Sequence, residues 1–526
     1  MKKYIISFNL LLVLCPLIFW SSCTKKFEEL NTDRTRIVVL KGKQLDKLFT
    51  TALYAGITNT DQWAGGYQTL QNLYTDLQAQ WFATTQPRFS SDRNEMVGRW
   101  IDVSWGAFLS GATTLAEILK QTGPQSPAPD PVREAVAQIW KVYIFLPMTD
   151  IFGPMPYSEV GSGKDEILYD SQEAIYNDFF TSLADATTVI SQNLSRGKVF
   201  ADGDVIYGGD LASWLKLGNS LRLRVALRIS KKQPDKAKTE AEAAATAAGG
   251  LIITNADNAF MKTTPPNYLN PLGVISDWGE FRMSAAMESI LMGYDDPRKS
   301  KYFEPAVTTG LFKGLRNGLT IEQMSEPPNS NENNSNVVTR FRNAEMNTEP
   351  HGIYVAAETW FNLAEAKVNG WNVGSFSAKE AYENGITASM QQWGVANFSA
   401  YISSASTPRA YTSSIPLYNI AAVSDIPVAF GATEAVQREQ IGTQKWLALF
   451  PYSGPEAWAE FRRTGFPKLY PRINNSNPDA SVAPGSVRRL VYAPNEVVIN
   501  PKGYKSGVEL LGGGGDKSST KLWWDP

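Results

Sequence analysis

Residues 444–467, QKWLALFPYSGPEAWAEFRRTGFP, constrain the fold more than any other stretch. The spacing predicts a helix over 444–450, a turn at Pro451, Gly454 and Pro455, and a second helix over 456–463. Pro455 suits a first helical turn, where its missing N–H costs nothing, and Gly465 followed by Pro467 is a helix exit. Trp446, Leu447, Phe450, Trp458 and Phe461 give the pair an aromatic inner face, which Arg462 and Arg463 are expected to leave. No catalytic spacing is present. The stretch reads as a packing and docking element, so the chain must supply a large partner for it.

Such a partner is affordable in a chain of 526 residues with 43% hydrophobic and 19% charged content, enough for one big helical body. The expected class is all-α, with amphipathic helices read near Gly42, at 100–120, 131–145, 212–231, 234–248, 354–369 and 378–393. Tyr67, Leu70, Tyr74, Leu77 and Trp81 recur at helical spacing, which assigns them to core. Asp170 and Glu173 read as the N-terminal cap of a helix carrying Ile175, Phe179, Leu183 and Ile190. Arg222, Arg224 and Arg228 read as a solvated or salt-bridged helix edge. Helix pairs of this size are similar to tetratricopeptide solenoids, although no 34-residue consensus repeats. Residues 258–350 and 399–432 break the pattern with Pro, Gly and Asn, and long loops on a helical scaffold are where binding residues sit.

Residues 1–22 read as a secretory signal: Lys2 and Lys3, an apolar run, then Ser21–Ser22 before Cys23. Small residues directly before a cysteine resemble a lipoprotein cleavage box, with Cys23 acylated and residues 23–40 forming a polar tether. Trp20 departs from the aliphatic residue usual at that place, and plain secretion with an incidental Cys23 is the competing reading. Of the two cysteines Cys15 falls in the signal, so the processed chain holds one sulfur and no internal disulfide.

Charge excludes several functions. Lys+Arg 50 against Asp+Glu 52 gives −2, and removing Lys2 and Lys3 leaves 48 against 52, a net of −4. A nucleic-acid binder carries a basic field instead. His351 is the single histidine, read as a loop residue, so a Ser–His–Asp triad or a histidine zinc site is not expected. No cofactor is expected. Calcium stays open at Asp295–Asp296, which lack the spaced oxygens of a calcium loop.

Six stretches in order resemble one family: DIFGPMPYSE (150–159), WLKLGNSLRLRVALRIS (214–230), YVAAETWFNLAEAKVNGW (354–371), residues 444–469, RRLVYAPNE (488–496) and KLWWD (521–525). They are similar to the SusD/RagB-like family, in its SusD-like nutrient-binding branch, and they span nearly the whole chain after Cys23. The resemblance implies a single domain over 41–526, built of tetratricopeptide-like helix pairs with a loop-rich ligand face. It further implies a lipid anchor on the outer membrane of a Bacteroidetes-type bacterium, exposure at the cell surface, and a TonB-dependent SusC-like barrel as partner. These are scaffold motifs and carry no ligand across.

The site candidates come from chemistry. Binding a sugar without cutting it asks for flat aromatic faces over C–H surfaces, with amides and charges for hydroxyls. In loops those are Trp278 and Tyr268 first, then Trp63, Asn270 and Arg282, each of which could equally plug its loop onto the helices. Glu358 and Glu365 invite a hydrolase reading. A seven-residue spacing stacks them about 10 Å apart on one helix face. Glycosidase carboxylates instead flank the scissile bond, about 5–5.5 Å or roughly 6.5–9.5 Å apart, so pairing with Arg462 or Arg463 is the expectation. Three functions compete: capture of an oligosaccharide (or a peptide) for a barrel transporter, hydrolysis of the same substrates from a lipid anchor, and a structural role beside the transporter without a ligand.

Overall fold

Local signals in the chain set the helix boundaries of the computed structural model, which describes residues 40–59, 64–346 and 348–526. The first long helices are α1 (Lys43–Gly56), α2 (Gly98–Thr122) and α3 (Pro131–Phe152). Asp130 opens α3 by accepting the Arg133 N–H at 3.1 Å, with Pro131 in the first turn. Then come α4 (Gln172–Gln192), α5 (Leu211–Arg228) and α6 (Pro234–Thr246). Ser171, not Asp170 or Glu173, caps α4 through the Ala174 N–H, and Asp210 caps α5 through the Ser213 N–H. Asp170 instead accepts hydrogen bonds from Ser158.

Two short helices, α7 (Pro271–Asp277) and α8 (Ala285–Gly293), lie in the loop-rich stretch, followed by α9 (Ala356–Val368) and α10 (Ala378–Gln392). A reciprocal Ser377–Glu380 capping box starts α10. The stretch that dominates the sequence forms α11 (Glu434–Leu449) and α12 (Gly454–Thr464), with α13 (Pro501–Leu510) near the end. Gly465, at φ 81°, ends α12 in the left-handed conformation. The first of the pair begins ten residues before the expected start, because no proline or glycine pair interrupts 434–444.

Successive helices pack side by side: α1 on α2, α2 on α3, α3 on α4, α4 on α5, α5 on α6, and later α9 on α10 and α11. The all-α, paired-helix expectation is met. Trp446, Leu447, Phe450 and Trp458 are buried as their spacing predicts. Tyr67, Leu70, Tyr74, Leu77 and Trp81 are also core, but residues Gln68–Asp76 wind as a π-helix. Burial periodicity reports which face is inside and not which carbonyl each N–H reaches. The π-helix meets α12 closely: a Cβ on Gly454 would lie 1.8 Å from an Asp76 carboxylate oxygen, so only glycine fits there.

Four short strands fasten the irregular region to this scaffold: β1 (Phe82–Thr84), β2 (Ala259–Met261), β3 (Phe281–Met283) and β4 (His351–Tyr354). β1 pairs antiparallel with β3, Ala83 opposite Arg282, and β2 pairs antiparallel with β4, Met261 opposite His351. His351 is therefore a strand residue, 3% exposed, and not a loop histidine. It packs edge-on to Tyr67 and Tyr452, and burial pushes its imidazole down to about 4.

Charge lies inside as well as outside. Arg224 holds Glu358 through two 2.6 Å hydrogen bonds, and Arg463 holds Glu365 through two more. Arg228 donates to Glu456 at 2.7 Å and lies 3.4 Å from Asp150, while Lys445 and Arg463 share Glu460. Of the solvated or salt-bridged edge expected for Arg222, Arg224 and Arg228, the salt-bridged form is what the structure has, with Arg222 on Glu240, Arg224 on Glu358 and Arg228 on Glu456, the last two pairs buried. Arg462 and Arg463 do not leave the inner face: Arg462 is stacked on Trp458 at 3.9 Å and on Trp524 at 5.1 Å. Apart from Arg462, which donates to the Trp458 and Arg488 carbonyls, these charges are tolerable because each sits beside opposite charges from α3, α5, α9, α11 and α12. The Arg and Lys neighbours hold Glu460 well below the usual carboxylate range against the opposing effect of burial. The seam binds five helices into one body.

Candidate functional site

The end of α7 carries the most open of the sequence-derived candidates. Asn270 caps this helix, its side-chain oxygen accepting the Leu272 and Gly273 N–H groups at 3.0 and 3.2 Å. Its amide nitrogen donates to the Glu349 and Pro350 carbonyls, so a buried Asn270 is committed to holding α7 against β4. Trp278 follows the last helical residue, and Gly279 (φ 69°) turns the chain away, leaving the indole 37% exposed.

Opposite Trp278 runs the segment 343–346. Asp277 pins it, one carboxylate oxygen accepting the Asn343 N–H at 2.7 Å and the other the Ala344 N–H at 3.0 Å. Between them lies a groove of about 290 Å³, lined by Leu269, Val274 and Ala344 at its base and by Trp278, Glu345 and Met346 at its rim. Met346 is 90% exposed at this rim. Of these rim residues the sequence named Trp278 as a candidate and not Glu345 or Met346, whose only signal is a lone methionine in a polar loop.

Tyr268, Asn270 and Arg282 do not line this groove. Tyr268 is half-buried and stacks flat on Tyr54, ring centroids 3.7 Å apart, next to the groove residue Leu269. Arg282 is buried in β3, donating to the Asn331, Gly279 and Phe281 carbonyls, and burial pushes its guanidinium down to about 10. It braces the loop behind Trp278. Trp63 and Cys23 lie outside the described residues.

A larger cavity of about 440 Å³ opens on the helical side, between α9, α11 and α12. Its charged floor of Glu365, Lys445, Glu460 and Arg463 belongs to the ion-pair seam. Glu358 and Glu365, the two acids a hydrolase would need, are each held two-pronged by arginine, and Glu358 pairs with Arg224 and not with Arg462 or Arg463. Asp296 is buried in a pair with Arg298, and Asp295 pairs with Lys299, which leaves neither oxygen set arranged around an open centre. Among the described residues no group of three or more His, Cys, Asp or Glu is placed to hold a metal, and no helix is long and apolar enough to cross a membrane.

The architecture has close relatives among solved structures. A chitin-binding SusD homologue from Flavobacterium johnsoniae is 34% identical, with a TM-score of 0.82 over 91% of this chain and 98% of that one. A SusD homologue from Bacteroides uniformis is 31% identical (TM-score 0.81, covering 92% and 100%), and one from Bacteroides vulgatus 30% (TM-score 0.81, covering 92% and 97%). Among curated proteins none matches. The family model described as SusD-like, SusD and RagB outer membrane lipoprotein, matches residues 29–525. With paired helices, a loop-rich face and this match over nearly its whole length, the chain belongs to the SusD-like family of outer membrane lipoproteins.

Proposed function

We propose that the protein is a lipid-anchored, cell-surface nutrient binder that captures oligosaccharides on its loop-rich face. It passes them uncut to a TonB-dependent, SusC-like barrel. The observation that carries this reading is the groove beside Trp278: an aromatic face on a braced lip, over an apolar base, on the scaffold of a family whose 34%-identical member binds chitin. A flat indole covers the C–H face of a sugar ring, and the groove, about 290 Å³, falls just short of the roughly 300–1,000 Å³ that ligand pockets show. What supports a non-catalytic role is the commitment of Glu358 and Glu365 to buried arginines.

Calorimetric titration of the purified protein with a panel of oligosaccharides tests the reading, with the mixtures analysed for shortened products. Binding without cleavage is the expected result, weakened about tenfold by Trp278→Ala through loss of ring contact of about 1.4 kcal/mol. Cleavage of any panel member, or binding indifferent to Trp278, overturns it.

A further inference from the structure

The groove has a sign. Its lining contains two carboxylates, Asp277 and Glu345, and no lysine, arginine or histidine. Of the cations nearest in sequence, Arg340 pairs with Glu349 and Arg342 with Glu304, while Arg282 is buried behind Trp278, outside the lining, with its donors spent on the Asn331, Gly279 and Phe281 carbonyls. Glu345 is exposed on the rim, and no ion pair to it is found among the described residues. Trp278 adds to the same sign, because the face of an indole is the negative end of its quadrupole and attracts cations. A ligand in van der Waals contact with Trp278 therefore meets negative potential from the ring and from both carboxylates.

Resting on the glycan-binding reading above, we propose that this groove selects oligosaccharides that carry free amino groups, glucosamine oligomers being the simplest, over N-acetylated and acidic ones. An ammonium substituent on a ring stacked against Trp278 gains an ion pair with Glu345 at the rim and a cation–π contact with the indole. A uronate or sulfated sugar in the same place meets like charge with no base in the lining to offset it. N-acetylation removes the positive charge and leaves only the stacking, so neutral oligomers bind through Trp278 alone. The preference is modest because Glu345 faces water.

The test is calorimetric titration of the purified protein at mildly acidic pH and low salt with glucosamine, N-acetylglucosamine and uronate oligomers of equal length. The glucosamine oligomer is expected to bind roughly fivefold tighter than the N-acetylated one, and the uronate oligomer weakest. High salt is expected to erode the preference, and Glu345→Gln to reduce it to about twofold. Equal affinity for the amine and its acetylated form, tighter uronate binding, or a uniform loss in Glu345→Gln overturns the charge assignment alone. Failure of every oligomer to bind overturns it together with the broader function.

Discussion

The ion-pair seam and the Trp278 groove use charged and aromatic groups in opposite ways. In the seam, Arg228 is fully buried among Asp150, Glu456 and Glu460, and Arg462 lies between Trp458 and Trp524. In the groove, Trp278 and Glu345 face solvent, and the buried polar groups around them, Asn270 and Arg282, are spent on backbone carbonyls and N–H groups. The first arrangement fixes where five helices sit; the second leaves a rim whose side chains can change without disturbing the body. A scaffold stabilised from within can carry a variable face.

The sharpest way to break this contrast is to remove one charge from each region. Glu456→Ala leaves Arg228 and Lys445 beside an empty place in the interior, and the expected loss is about 3–5 kcal/mol, read as a lower midpoint in denaturant. Glu345→Gln on the rim is expected to leave that midpoint in place. Equal losses from the two would erase the distinction.

The strip between the regions titrates. Burial pushes His351 down to about 4, against about 6.5 in an unfolded chain. Between those values the unfolded chain takes up a proton that the folded one refuses. Stability held above about pH 6.5 is therefore lost as pH falls, with the loss complete near 4 and amounting to about 3 kcal/mol. Melting curves across that window should show this slope, and His351→Gln should flatten it relative to the parent. An unchanged slope would mean that β4 opens to water before the chain unfolds.

The two regions were also unequally legible. Helix starts were readable because Pro131, Pro234 and Ser377 act through neighbours within a turn. The burial of Arg224 and Arg228 was not, because their partners Glu358 and Glu456 lie 134 and 228 residues away, and local spacing alone does not separate a solvated edge from a salt-bridged one. The family motifs include both arginines and both glutamates, so the resemblance located the seam without revealing its chemistry. Trp278 stood out as a flat aromatic residue in the loop-rich stretch. Glu345 and Met346 become groove residues only because Asp277 pins their backbone from 66 and 67 positions back, at Asn343 and Ala344, and no periodicity encodes that.

Asn270 gives the finest test, because it belongs to the scaffold by its contacts and to the groove by its effect. Asn270→Ala removes the α7 cap and the two bonds to the Glu349 and Pro350 carbonyls, with an expected loss of about 1–2 kcal/mol. Asn270→Asp keeps the acceptor that caps the helix and loses the donor, so it should recover part of that stability. If Asn270 acts only by positioning α7, glycan affinity should track stability across the pair, falling most in the alanine variant. Trp278→Ala provides the opposite pattern, weak binding at nearly unchanged stability. An Asn270→Asp protein as stable as the parent that nevertheless binds no sugar would place this amide in direct contact with the ligand and move it from scaffold to site.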